Sequence, residues 1–417
     1  MGNQPRRLRA QVAEEDVGTW LAFDSDEADL VADDHNQSSD IFLRNLGAET
    51  TGLISQRLAS RPSRTVFGGS IAGPNAVSAD GRFVVFTSLD RRLAGADTNG
   101  GLDVFVRDLA VGTNWPVSVD ASGAVMGNGA SRDAVISADG RYVVFVSSAT
   151  NLTTDTTNYF SGVFRRDLAQ GTTIRIAGDP FGNNTFVPPS VSGDGQRVAF
   201  SYAASGDVFV QDVATSSNLL ASANFSGTAG GNGASTRPQL RRDGRWGMFQ
   251  SRATNLTTNQ VSSANDNLFA RDLTTGETLL LNVNANGTTF SGDASDVSIS
   301  ASGRTLVYSL AQNVNGTLTT YVCVYDLLAR TNAIVCTNCK QPTSSGDGRR
   351  VAFISTTSRQ VMLKDLQTGV TIRLSTSVGA REQIVSAPTP LSAPIVSSQP
   401  AVAMDGGLRL FPPRVGR

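Results

Sequence analysis

Two segments of the chain share the pattern Asp-x-Asn-x-x-x-Asp: Asp34-His35-Asn36-Gln37-Ser38-Ser39-Asp40 and Asp97-Thr98-Asn99-Gly100-Gly101-Leu102-Asp103. Clustered carboxylate and carbonyl oxygens are what a hard cation such as calcium needs. The pattern nominates Asp34, Asn36, Asp40, Asp97, Asn99 and Asp103 as calcium ligands. It lacks the closing Glu and the sixth-position Gly of an EF-hand. Further along it decays to Asp155-Thr156-Thr157-Asn158 and to Asn265-Asp266-Asn267. A second reading stands beside calcium: Asp and Asn side chains cap their own loops by accepting from backbone N–H groups two residues on. His35, the single histidine, lies inside the first segment. One imidazole cannot build a multi-histidine metal centre, and its plain reading is a loop residue.

The three cysteines offer other chemistry. Cys336-Thr337-Asn338-Cys339 is a Cys-x-x-Cys with no second pair to complete a zinc site. Cys323 and Cys336 fall on consecutive strand segments around a turn near Ala329-Arg330, which sets them opposite each other and permits a disulfide. Pairing of Cys336 with Cys339, or three free thiols, are the alternatives. Either disulfide points to an oxidising compartment.

Several enzyme signatures are missing. The sequence has no Gly-x-Ser-x-Gly elbow and no P-loop, since neither Lys340 nor Lys364 follows the required glycines. Gly127-Asn128-Gly129-Ala130-Ser131 and Gly231-Asn232-Gly233-Ala234-Ser235 look like phosphate cradles. They precede strand-like rather than helix-like segments, so they read as repeated loops between units. No catalytic set and no organic cofactor site emerges. A net charge of −1 gives no electrostatic case for nucleic acid or an anionic membrane surface. No apolar run reaches the roughly 20 residues of a membrane helix. The N-terminus shows no signal peptide, so the chain is either cytosolic or a mature form of an exported protein.

The elements that must position these residues are repeated. Ser78-Ala79-Asp80-Gly81-Arg82-Phe83-Val84-Val85-Phe86 returns as Ser137-Ala138-Asp139-Gly140-Arg141-Tyr142-Val143-Val144-Phe145 and as Ser192-Gly193-Asp194-Gly195-Gln196-Arg197-Val198-Ala199-Phe200. Weaker copies sit at Asp243-Gly244, Ser302-Gly303 and Asp347-Gly348. Each unit holds four runs of β-branched and aromatic residues bounded by turn residues, which is a strand signal. Second strands are predicted to begin near Trp20, Phe83, Tyr142, Arg197, Trp246, Thr305 and Arg350. Third strands end in Arg107-Asp108-Leu109, Arg166-Asp167-Leu168, Gln211-Asp212-Val213, Arg271-Asp272-Leu273, Tyr325-Asp326-Leu327 and Lys364-Asp365-Leu366, with Arg44-Asn45-Leu46 in the first unit. The recurring Asp is read as a turn cap, because catalysis does not need a copy in every unit.

Four-stranded antiparallel units in series predict an all-β fold, a β-propeller. Units are expected at 8–57, 71–119, 130–177, 187–222, 236–283, 294–337 and 341–376 of a single domain spanning 8–411. A Pro/Ser-rich link, 386–399, leads to a last pair of strands, 400–411, which repeats the Asp-Gly phrase at Asp405-Gly406 and is expected to close the ring. Seven blades are expected, and eight with a short last blade is the alternative.

These residues resemble the repeat of the bacterial TolB-type propeller family, whose core reads Ser-x-Asp-Gly followed by an apolar strand. The resemblance runs from about residue 10 to 411. It implies a propeller, with a cell-envelope role as a prior. Related propellers are scaffolds, peptidase gates and carbohydrate-active enzymes.

The links between first and second strands and between third and fourth are short, whereas the others are long. Antiparallel alternation therefore puts both short links at one end of the ring and both long links at the other. Function tends to sit on long loops held by a rigid frame. The expectation is a non-enzymatic protein-binding or scaffold subunit, periplasmic or extracellular, that presents its long-loop face to a protein partner. The alternative is a carbohydrate-active lyase or hydrolase working in the central channel.

Overall fold

The Ser-x-Asp-Gly phrase reverses the chain because its own groups bond one another. Ser78 Oγ donates to Asp80 Oδ1 (2.6 Å), the Arg82 amide donates to the same oxygen (2.9 Å), and the Phe83 amide donates to Ser78 Oγ (2.9 Å). Gly81 then takes φ 71°, a left-handed conformation that glycine adopts without a Cβ clash. The same Ser–Asp bond recurs at Ser137/Asp139, Ser192/Asp194 and Ser345/Asp347. After each turn an apolar strand follows.

The computed structural model describes the strands between residues 9 and 55 and most of residues 70–373, apart from positions within 73–98, 156–158, 180–185, 203–205, 284–291 and a few single residues. The described residues hold no helix. Their 28 strands form seven sheets, each of four antiparallel strands in chain order. Blade 1 covers 9–53, blade 2 70–116, blade 3 131–179, blade 4 190–220, blade 5 235–280, blade 6 293–337 and blade 7 339–373. The second strands begin at Trp20, Phe83, Tyr142, Arg197, Trp246, Thr305 and Arg350, as the repeat predicts. The protein is a β-propeller, with seven blades among the described residues. The link 386–399 and the expected closing pair 400–411 lie outside the described residues.

Burial shows how the blades are arranged. Asp103–Asp108 and Tyr142–Ser147, a third and a second strand, are buried at every position. Both their faces are covered, so these strands lack the in–out alternation of a one-sided sheet. The fourth strands alternate, as in Thr113–Pro116, and form the outer rim. First strands of neighbouring blades meet. The Ile136 amide donates to Asn75 O (3.0 Å), the Leu240 amide to Ser190 Oγ (3.0 Å), and Gln239 Nε2 to Val297 O (2.9 Å). The first strands therefore line the axis.

The core repeats with the fold. Phe86 stacks on Phe105, Phe145 on Phe164, Phe200 on Phe209 and Phe249 on Phe269, with ring centroids 5.8–6.0 Å apart. Each pair spans directly opposed residues of a second and a third strand. Such a pair adds about 0.5–1.5 kcal/mol beyond the area it buries. In blade 6 the same two positions hold Tyr308 and Cys323.

A charged clasp closes the short-link end of five blades, 2, 3, 5, 6 and 7. The residue after the Asp-Gly turn reaches the Asp that ends the third strand: Arg82–Asp108 (2.7 Å), Arg141–Asp167 (2.7 Å), Arg245–Asp272 (2.6 Å), Arg304–Asp326 (2.8 Å) and Arg349–Asp365 (2.8 Å). The same carboxylates accept from the next turn. Ala110 donates to Asp108 (2.9 Å), Thr274 to Asp272 (2.8 Å) and Gln367 to Asp365 (2.9 Å). The repeated Asp is a turn cap, as its recurrence suggested.

Candidate functional site

The acidic segments sit at the long-link end. Asp40 and Asp103 open third strands and are buried. Each accepts from a serine fifteen positions on: Ser55 Oγ at 2.5 Å and Ser118 Oγ at 3.0 Å. Those serines accept in turn from the amides of Ile41 and Val104 (3.2 and 3.0 Å). Blade 4 repeats the arrangement with Asp207 and Ser222 (2.6 Å), and blade 5 with Asn267 and Asn282 (3.0 Å). Two of the six nominated calcium ligands thus belong to a strand-closing pair that recurs in four blades. The signal was present in the sequence as a constant spacing between these residues.

Asp97, Asn99 and Asp103 do come together. The Asn99 amide donates to Asp97 Oδ1 (2.8 Å), and the Gly101 amide to Asn99 Oδ1 (2.5 Å). Asn99 Nδ2 reaches both Asp103 oxygens (3.3 Å) and Gly127 O (2.7 Å). Arg91 Nε lies 3.6 Å from Asp97 Oδ2. The loop is knitted by its own Asx side chains, and its carboxylates face an amide, a hydroxyl and a guanidinium. Among the described residues no three His, Cys, Asp or Glu side chains are grouped to hold a metal ion. Asp34, His35 and Asn36 lie outside the described residues. Burial pushes the Asp103 carboxyl up to about 6, with the charge of Asp97 adding to it and the bonds from Ser118 and Asn99 opposing it.

The two glycine-rich segments are clips between units. In the first, the Asn128 amide donates to Asn151 Oδ1 (2.9 Å), Asn128 Nδ2 to Thr150 Oγ1 (2.8 Å), and the Thr150 amide back to Asn128 Oδ1 (2.8 Å). Asn232, Thr254 and Asn255 repeat these bonds in the second. Gly129 and Gly233 are required by contact: a Cβ there would lie 2.8 and 2.7 Å from the amide nitrogens of Ala149 and Ala253. The Gly-Asn-Gly loops bond to neighbouring loops of this same chain, consistent with their reading as inter-blade loops.

The expected Cys323–Cys336 disulfide is corrected. The bond joins Cys336 to Cys339, across the step from blade 6 to blade 7, and Cys323 is a buried free thiol. A bulge between Val322 and Cys323 shifts the register, so Cys336 faces Val322 and Cys323 faces Ile334. Counting back from the turn misses that extra residue. Burial holds the Cys323 thiol protonated, its pKa pushed up to about 12, which makes it an inert core group beside Tyr308.

Two further features escaped sequence reasoning. In blade 6 the link between second and third strands is not a long loop. Thr305–Val314 and Thr317–Asp326 continue as a ladder to a two-residue Asn315-Gly316 turn, with φ of 51° and 81°. Asn-Gly was the available signal. This hairpin carries exposed Val314 and Leu318 at the long-link end, where Val125, Phe160 and Phe225 are also exposed. The second feature is at the axis. Non-glycine residues with left-handed backbone occupy five first strands or their approaches: Asn75, Asp133, Arg237, Asp296 and Gln341, with φ of 49–56°.

No family model matches the sequence, and no curated protein is similar to it. Solved structures are similar in fold. A prolyl endopeptidase matches at TM-score 0.57 and 12% identity, over 92% of this chain and 50% of that one, so this chain spans about half of that protein. An oligogalacturonate lyase in complex with manganese matches at TM-score 0.51 and 11% identity, over 91% and 89% of the two chains. TolB from Acinetobacter baumannii matches at TM-score 0.39 and 14% identity, over 88% and 79%. At these identities the likeness is one of fold alone, that of a β-propeller.

Proposed function

We propose that this propeller is a non-enzymatic scaffold that binds a protein partner through its long-link face. The observation that carries the reading is the set of exposed apolar side chains at that end: Val125, Phe160, Phe225, Val314 and Leu318. They stand on held backbone. The Phe225 amide donates to Asn255 O (2.7 Å) and the Phe160 amide to Asp179 O (3.1 Å), while Leu318 rides on a hairpin ladder. Exposed aromatic and aliphatic groups on a rigid frame suit partner binding, because little side-chain and loop freedom is lost on association. The recurrent carboxylates support the same reading, since those of the turn caps and strand-closing pairs serve structure in blade after blade. We place the protein in the periplasm or outside the cell, a placement supported by the Cys336–Cys339 disulfide.

A carbohydrate-active site in the channel is the second reading, favoured by the carboxylates of Asp133 and Asp296 on axis strands. It needs two carboxylates converging on one bond. Asp133 is instead ion-paired to its neighbour Arg132.

Site-specific photo-crosslinking in the native cell tests the proposal. A photoreactive residue at Phe225 or Leu318 is expected to capture the same protein, and one at Leu328, exposed at the short-link end, is expected to capture none. Equal capture from both ends, or from neither, would sink the assignment of the working face.

A further inference from the structure

Left-handed residues other than glycine gather at the axis: among the described residues nine take positive φ, and five of them lie on axis strands or their approaches. Where the fold demands positive φ in its Asp-Gly turns, the sequence supplies glycine, at Gly81, Gly140, Gly195, Gly244, Gly303 and Gly348. It does the same in the third-to-fourth turns at Gly112, Gly171, Gly276 and Gly369, with Ser216 and Arg330 in that place in blades 4 and 6. At the axis it places Asn75, Asp133, Arg237, Asp296 and Gln341, all polar. Positive φ is costly for any residue with a Cβ, Asn and Asp less so than Arg or Gln.

Four of these positions are equivalent. Asp133, Arg237, Asp296 and Gln341 each stand six residues before the third residue of the Ser-x-Asp-Gly motif, at Asp139, Asp243, Ser302 and Asp347. In blades 5, 6 and 7 the ladder slips at that point, between Thr236 and Gln239, Ser295 and Ser298, and Lys340 and Thr343. Bulges of this kind re-aim a side chain and are found beside binding sites. Blade 4 has Pro188 at the equivalent place. The four residues therefore share one level of the channel, near the mouth at the long-link end where first strands begin.

Three of them are charged: Asp133 is ion-paired to its neighbour Arg132, whereas Arg237 and Asp296 are opposite in sign and unpaired with each other. Arg237 is exposed on a strand that lines the axis, and it has no acidic partner among the described residues. Asp296, on the adjoining blade, accepts from Ser295 Oγ at 3.4 Å and has no basic partner among the described residues. Their strands touch, through Gln239 Nε2 and Val297 O. The flanking blade adds the amide of Gln341.

We propose that this ring binds a small zwitterion at the channel mouth, its carboxylate on Arg237 and its ammonium on Asp296. Guanidinium forms forked bonds to carboxylate, and a carboxylate is the natural acceptor for an ammonium. A ligand with both charges satisfies both residues, and one with a single charge leaves the other unmet. The strain is then retained because glycine would delete the recognising groups. The inference concerns the axis and does not depend on the partner surface at the rim.

Calorimetric titration of the full chain with glycine, 4-aminobutyrate, acetate and methylammonium tests it. One zwitterion at least is expected to bind saturably, with acetate and methylammonium about tenfold weaker or worse. Arg237→Gln and Asp296→Asn are each expected to weaken that binding about tenfold or more. Arg237→Gly distinguishes lost binding from lost folding: it relieves the positive-φ strain and deletes the ligand contact, so it is expected to melt at or above the parent temperature and to lose the zwitterion. The proposal fails if neither zwitterion binds at about 10 mM. It fails also if acetate binds as well as they do, or if Arg237→Gly binds them as the parent does.

Discussion

Asp103 is held in the fold at an energetic cost. Its carboxyl is raised to about 6 by burial, against roughly 3.9 for an unperturbed aspartate. Between those values the folded state keeps a proton that the unfolded chain has released. Stability from this group therefore falls as pH rises through that window, and above it the full cost is present. Blade 5 has Asn267 at the equivalent place, bonded to Asn282 (3.0 Å). Asp103→Asn is expected to stabilise the protein at pH 7 by up to about 2–3 kcal/mol, with little gain at pH 4. Denaturant midpoints of parent and variant at the two pH values check this, and an equal gain at both would refute the titration argument. Asp272 is the opposite case. Burial raises its carboxyl, but the Arg245 guanidinium and the amides of Thr274 and Thr275 more than offset that, to about 2. Asp272→Ala leaves those donors unmet and is expected to cost about 2–3 kcal/mol. Both roles were half legible. The recurrence of Asp108, Asp167 and Asp272 marks them as caps, whereas the bond from Ser118 to Asp103 joins residues fifteen apart on adjacent strands and leaves no mark within the Asp-x-Asn loop itself.

At the scale of elements, the clips make the sharpest test. A methyl group at Gly129 or Gly233 meets backbone of the following loop, which cannot step aside as a flexible side chain can. Gly129→Ala and Gly233→Ala are expected to cost about 1–3 kcal/mol by overpacking. Gly227 has φ 70° but open space around it, so Gly227→Ala is expected to cost about 1–2 kcal/mol from backbone strain alone. Melting curves rank the three, and a Gly233→Ala variant as stable as the parent would show that the clip yields. The strands were legible because Phe-Val-Val-Phe and Asp-Val-Phe-Val-Arg-Asp carry their own boundaries in turn residues. Register was less so. One bulge at Val322/Cys323 undid a disulfide pairing that depended on counting across a turn.

Two predictions belong to the whole molecule. Asp365 is lowered to about 2 by Arg349, and Asp272 to about 2, so both clasps contribute stability above the unfolded value near 3.9 and lose it as pH falls toward 2. Similar clasps lower Asp108, Asp167 and Asp326. The melting temperature is expected to drop steeply between pH 4 and pH 2, and neutralising one clasp by Arg245→Gln is expected to shallow that drop. The acidic loop supplies the other: its oxygens are met by Asn99, Ser118 and Arg91, so melting in millimolar calcium and in chelator is expected to coincide. A rise of several degrees with calcium would return the loop to metal binding.

The amino-acid order by itself settled what is local and repeated: the turn phrase, the strands, the capping aspartates and, through their recurrence, a propeller. These depend on contacts within a few residues or between adjacent strands, so every copy of the unit states them again. Packing alone decided what is not repeated. It set which cysteines meet, sent the blade 6 hairpin outward, joined each glycine clip to its loop, and lined the axis with Arg237 and Asp296. Those relations join residues distant in sequence, or hang on a single bulge, and become visible only when blades lie against one another.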